Sequence, residues 1–323
     1  MPPPAPVTSP AGPAGSNDGP DWDAELVQLV SDNLAGRVTL VDVGGLDAVK
    51  QRLEASFLGP VRNPELRKMY GTTMRGGLLL WGPPGCGKTF LARAVAGELG
   101  AHFVSVGLHD VLDMWLGNSE KKLHELFELA RRRTPTVLFF DEIDAIGHSR
   151  ANLNRSAGRN VVAQLLTELD GVDTSNDGVF VIGATNQPWD VDPALRRPGR
   201  LDRSLLVLPP DAAARTAILA YHLRDRATAI LSVASVVAIT EDFSGADLRL
   251  VCDEAAQRAL AEAARTGIAK PISETDLKMA AQSLRPSTAP WLEMARNFVM
   301  YANAAGEYDE LALYLRSRGK GPR

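Results

Sequence analysis

Two short segments carry residue types that do chemistry on phosphate. "GPPGCGKT", residues 82 to 89, fits G-x-x-x-x-G-K-[ST]. Glycines at that spacing let backbone N–H groups turn inward around phosphate oxygens, and a following helix adds the positive end of its dipole. Lys88 is placed to reach terminal phosphates, and Thr89 offers a hydroxyl to Mg²⁺. "TVLFFDEID", residues 136 to 144, is an apolar run ending in carboxylates. A buried strand would deliver Asp141 and Glu142 at its carboxyl end, where ligands bind in open α/β sheets. Asp141 would then hold the metal through water, and Glu142 would orient and polarise an attacking water. Alone, the first segment could be a Gly-rich turn and the second a solvated strand end. Together, in a strand–loop–helix setting, they point to nucleotide hydrolysis.

Chemistry of this kind needs a rigid scaffold, and the surrounding pattern supplies one. Between Arg37 and Pro210 the runs "GGLLLWG", "HFVSVGL", "TVLFFDE", "GVFVIGATN" and "RSLLVLP" are continuous apolar stretches bounded by turn residues. Such runs suit strands buried on both faces. Helical segments lie between them: "KTFLARAVAGELG", "EKKLHELFELARRR" and "NVVAQLLTELDG". Alternation predicts an α/β fold, a P-loop NTPase parallel sheet flanked by helices. After Pro209-Pro210 the strands stop, and four helical segments predict a small all-helical lid over residues 211–286, one of them capped by Ser244 with Asp247. The nucleotide-binding domain is placed at 21–210, opening with a short helix in "DWDAELVQLVSDNL", and a C-terminal helical extension at 287–323. Residues 1–20, rich in Pro, Ala and Gly, read as a disordered tail.

Composition narrows the partners. With 45% hydrophobic and 23% charged residues over 323 positions, the chain has the make-up of a soluble globular protein. A formal charge of -4 gives no general electrostatic footprint for nucleic acid or an anionic membrane. Cys86 and Cys252 belong to no C-x-x-C pair, which speaks against a disulfide frame or structural zinc and for a reduced, cytoplasmic setting. "HELFE" at His124 is not H-E-x-x-H, so no zinc protease site is expected. The longest apolar-rich run, Ala229 to Ile239, is too short to span a bilayer.

Further motifs make the chain resemble the classical AAA family of ATPases, as a single-module, bacterial-type member, over roughly residues 38 to 285. "GATNQPWDVDPALRRPGRLDR", residues 183 to 203, is similar to the family's second region of homology. The resemblance implies ATP as the nucleotide, held with Mg²⁺ by Thr89 and Asp141. It puts Asn186 at the sensor of the γ-phosphate or lytic water. Arg197 and Arg200 fall at arginine-finger positions, which act on nucleotide bound by the neighbouring subunit. A finger in trans is worth about 10³–10⁵ in rate. "LVDVGGLDAVK" resembles the adenine-pocket segment, with Asp42, Val43 and Gly44 in contact. Pro84, Gly85, Cys86, Gly87, Lys88, Thr89 and Phe90 would line the nucleotide from the loop. Gly245 and Ala246 would do so from the lid, with His222 at a ribose or adenine position that also suits a merely packed histidine.

The resemblance also implies a homo-oligomer, most simply a hexamer, with a polypeptide substrate. In this family an aromatic loop after the second strand lines the axial pore, and Met114, Trp115, Leu116 and Gly117 stand at that place. Six copies of Trp115 would grip an unfolded chain through apolar area; otherwise Trp115 packs under a lid or against a neighbouring subunit. "SRANLNRSAG", residues 149 to 158, fits either a second pore loop or a solvated basic loop. "LDGV" resembles the intersubunit signalling turn, with Val172 in place of Phe. The closing "GKGPR" lacks a proteasome-docking tail. The aromatics between 287 and 323 suit packing on the next subunit, a partner site, or closure of the lid core. Two other classes remain open: a nucleotide-gated scaffold, and a nucleic-acid-handling AAA+ protein.

Overall fold

The five apolar runs form five strands: β1 (Leu78–Trp81), β2 (His102–Gly107), β3 (Thr136–Asp141), β4 (Val179–Thr185) and β5 (Arg203–Leu206). A computed structural model describes residues 38–63, 65, 69–70, 77–107, 119–145, 156–171, 176–229, 232–304 and 306–319. All strand pairs are parallel, in the order β2-β3-β4-β1-β5. From β1 the chain crosses to the far edge, returns through β3 and β4, and passes over β1 to β5. The carboxyl end of β1 therefore lies where the winding reverses, the place where open α/β sheets bind ligands.

Both faces of the sheet are covered, which explains the unbroken apolar runs. Leu79, Leu138, Phe140 and Val181 point to one face, against α3 (Ser119–Arg132) and α4 (Ser156–Asp170). Their sequence neighbours Leu78, Leu80, Val137, Phe139 and Ile182 point to the other, against α1 (Asp47–Leu53) and α2 (Lys88–Leu99). After α1 the chain continues through a π-turn, Glu54–Leu58, into Gly59–Arg62. Pro60 has no N–H to donate, and the widened turn before it accommodates that gap.

Past Pro210 the chain is helical: α5 (Ala212–Leu223), α6 (Ala234–Ile239), α7 (Gly245–Thr266) and α8 (Glu274–Ser283). They share their own core, including Leu219, Val236, Leu248, Val251 and Leu277. The Ser244–Asp247 capping box is present at the start of α7, and Ser273–Asp276 forms a second at α8. No helix among the described residues is long and apolar enough to cross a membrane.

Two last helices, α9 (Ala289–Ala302) and α10 (Asp309–Ser317), do not close the lid core. Trp291, Leu292, Val299, Tyr308 and Leu311 pack instead on Trp81, Leu206 and Trp189 of the α/β domain.

Candidate active site

The phosphate loop leaves β1 at Trp81 and enters α2 at Lys88. Gly85 and Gly87 have φ of 71° and 90°, a region that side-chain-bearing residues avoid. A Cβ on Gly85 would also lie 2.8 Å from Ser244 Oγ, so the lid needs that glycine too. At Gly87 an added Cβ would meet nothing within 4 Å, which leaves open space beside the α2 N-terminus. Lys88 Nζ donates to the carbonyls of Gly82 and Pro83, both at 2.9 Å, and to Asn186 Oδ1 at 2.7 Å. Burial pushes the Lys88 pKa down to about 8, against the opposing pull of Cys86, Asp141 and Asp144. The Cys86 thiol is pushed up to about 12 by burial, so it is neutral and no nucleophile.

Asp141 ends β3, and Thr89 Oγ1 donates to its Oδ2 at 3.4 Å. The two expected metal ligands are thus side by side. Glu142 follows with φ 53°, a left-handed backbone that costs about 1–3 kcal/mol for a residue with a side chain. Its N–H donates to Asp141 Oδ1 at 3.0 Å. The turn takes Glu142 out of the sheet and leaves it exposed at the strand end. Asn186 is the first residue past β4, and its contact with Lys88 brings the sensor position to the phosphate loop. Asp144, which accepts from Thr185 Oγ1, belongs to the same polar cluster; the sequence reading assigned neither residue a role.

A cavity of about 270 Å³ opens next to the loop. Asp42, Val43 and Gly44 line one side, Gly85, Cys86, Gly87 and Phe90 another, and His222, Gly245 and Ala246 the lid side. The lid is fastened here: Ala246 N–H donates to Gly85 carbonyl at 3.1 Å. The Asp42 carboxylate accepts from Thr39 N–H at 2.8 Å and from its hydroxyl at 3.1 Å. That turn, the backbone bond foremost, holds its pKa below the usual range. Burial lowers the His222 pKa, helped by the charges of Arg249 and Arg226, so the ring is neutral near pH 7.

Ile218, Tyr221 and Arg249 also line the cavity, and sequence reasoning missed them. The signal was present: Ile218 and Tyr221 share the His222 face of α5, and Arg249 stands one turn after Gly245 on α7.

The two arginines expected to act on a neighbour are placed differently. Arg197 is exposed and makes no ion pair among the described residues. Arg200 is held in its own chain. Its Nε and Nη2 donate to the two Asp170 oxygens, each at 2.7 Å, and Nη1 donates to Ala194 carbonyl at 2.6 Å. Of the two arginines at finger positions, Arg200 is thus tethered within its own chain, while Arg197 has no ion pair among the described residues. Met114, Trp115, Leu116 and Gly117 lie outside the described residues, as do Val172, residues 149–155 and the helix expected over 21–34. Ser156, Ala157 and Gly158, the end of that polar segment, belong to α4.

A parallel sheet with its phosphate loop at the winding reversal, an acidic strand beside it and a helical lid closing one cavity define a P-loop nucleoside triphosphatase. Comparison with known proteins narrows this. Residues 78–208 match the model of the "ATPase family associated with various cellular activities (AAA)", and residues 231–278 match that of the AAA+ lid domain. A Cell division cycle protein 48 homolog from Archaeoglobus fulgidus is 43% identical over 246 residues, covering 76% of this chain and 33% of the relative. Protein SAV from Sulfolobus acidocaldarius is 42% identical over 225 residues, covering 69% of this chain and 29% of the relative. The chain belongs to the AAA family of ATPases. It spans about a third of the length of these relatives.

Proposed function

We propose that this protein is an Mg-ATP-driven oligomeric motor, most simply a hexamer, that remodels or unfolds polypeptides. The observation that carries the oligomer is Arg197: a cation left exposed, with no ion pair among the described residues, in an ATPase whose Asn186 is instead brought to Lys88. A neighbour's nucleotide would give it a partner.

The residues suit the metal. Magnesium takes one or two protein oxygens and fills its remaining positions with phosphate and water, and the adjacent Thr89 hydroxyl and Asp141 carboxylate are such a pair. Bound there, it would neutralise charge on the phosphates. Lys88 and the N–H groups of the glycine loop hold the terminal phosphates. Glu142 orients the attacking water, and Asn186 aims at the γ-phosphate end from beside Lys88. Asp42 has its carboxylate occupied by Thr39, so its segment meets the base through backbone. Neutral His222 offers a hydrogen bond on the lid side. Arg197 completes the neighbour's site, while Arg200, fixed by Asp170, holds the loop that presents it. The substrate grip is assigned to Trp115 on the aromatic loop.

Mixing tests the assembly. Arg197→Ala has an intact pocket and no finger; Lys88→Ala has a finger and no pocket. Each alone should be nearly inactive, and the mixture should regain turnover. No regain, with a parent that sediments as a monomer at full specific activity, would overturn the shared-site reading.

A further inference from the structure

The aromatic residues of α9 and α10 lie behind the catalytic groups. β4 ends at Thr185, so the Asn186–Gln187 peptide has no strand partner to fix its orientation. It is held from both ends by side chains. Gln187 N–H donates to Thr185 Oγ1 at 2.8 Å, and the Asn186 carbonyl accepts from Trp291 Nε1. A peptide bonded at both ends cannot rotate, and its plane sets the backbone torsion beside the Asn186 side chain. That side chain meets Lys88. Trp291 is itself firmly placed: it is 5% exposed and stacks on Trp189, which also stacks on the Phe298 ring at 4.1 Å and meets Tyr308 edge-on.

The same helix is fastened to the lid. Ser287 N–H and Oγ donate to Asp247 Oδ2 at 3.0 and 2.9 Å, inside the capping box of α7. Thr288 Oγ1 donates to Asp242 carbonyl at 2.6 Å. A buried indole N–H needs some acceptor. Here the acceptor is the one carbonyl whose orientation aims the sensor, and the donor's helix begins on the lid.

We propose that Trp291 is a positioning residue for Asn186, its indole N–H holding the sensor peptide in the orientation that hydrolysis requires. This rests on the sensor role given to Asn186 above, and the experiment separates the two. Trp291→Phe keeps an aromatic ring for Trp189 and removes the N–H; Trp291→Ala would leave a hole and can fail by misfolding. Steady-state ATPase and ATP affinity are measured for Trp291→Phe, Asn186→Ala and the double variant, with thermal melts on each.

Loss of one orienting hydrogen bond should lower kcat about tenfold while KM and ATP affinity stay within about twofold. The melting temperature should move by only a few degrees, about the shift expected for one such bond. In the Asn186→Ala background, Trp291→Phe should have no further effect, because the group it aims is gone. If Asn186→Ala turns over normally, the sensor reading is wrong. If Asn186→Ala is impaired while a folded Trp291→Phe is not, or if the two losses multiply, the positioning role is wrong.

Discussion

Lys88 gives the site a measurable pH signature. Its ammonium is buried, and although three oxygens accept from it, burial brings its pKa from 10.5 to about 8. Phosphate groups carry their second charge above pH ~6. A bound triphosphate therefore favours protonated Lys88 and raises its pKa again. Above pH 8 the empty protein must take up a proton before it binds ATP well. From a pKa of about 8, the protonated fraction falls about eightfold between pH 7.5 and 9, so ATP affinity should weaken by about that factor. Titration calorimetry in two buffers of different ionisation heat should show about one proton taken up per nucleotide at pH 9. Lys88→Arg keeps its charge and should lose the dependence. The empty fold responds with the opposite sign. Its pKa lies below the unfolded value, so the cost of burying the charge is full below pH 8 and is relieved as pH rises toward 10.5. That cost is on the order of 3 kcal/mol. Affinity that is flat from pH 7.5 to 9, with no proton uptake, would show that Lys88 is already fully charged in the empty site.

Glu142→Gln should bind ATP with near-parent affinity and release almost no phosphate, since the phosphate cradle is untouched; single-turnover phosphate release checks this. Ser244→Ala removes one half of the α7 capping box and should cost about 1–2 kcal/mol in denaturant unfolding. Asp170→Ala frees Arg200 and should lower turnover as Arg200→Ala does. The double variant should be no worse than either, because a shared ion pair gives non-additive losses.

The strands were legible because a sheet buried on both faces leaves unbroken apolar runs such as "TVLFFDE", and the lid because such runs stop after Pro210 and α7 carries its cap in Ser244 and Asp247. The helix from Asp47 to Arg62 was not, since Gly59-Pro60 reads as a stop while the π-turn carries the chain through it. In the site, loop and acidic strand could be read because their chemistry is set by adjacent residues. The union of Asp42, His222 and Ala246 in one cavity was reached through family resemblance, and Tyr221 was missed although it follows the same helical face as His222. The Arg200–Asp170 and Trp291–Asn186 contacts join positions 30 and 105 residues apart, and no local pattern encodes such pairings. Residues 287–323 could be read as helical and aromatic, but their seat on Trp81 and Trp189 depends on where β1 and the sensor segment end.

Whether the ATPase acts on polypeptides is decided most directly by following a folded fluorescent reporter with an unstructured tail. The parent and Trp115→Ala are compared at matched ATP turnover. The account predicts that the parent destroys reporter fluorescence only while ATP is hydrolysed, and that Trp115→Ala hydrolyses ATP, assembles normally and leaves the reporter folded. Equal unfolding by both would contradict the grip assigned to Trp115. A parent that turns over ATP yet never unfolds or binds the reporter would contradict the motor itself and favour a nucleotide-gated scaffold.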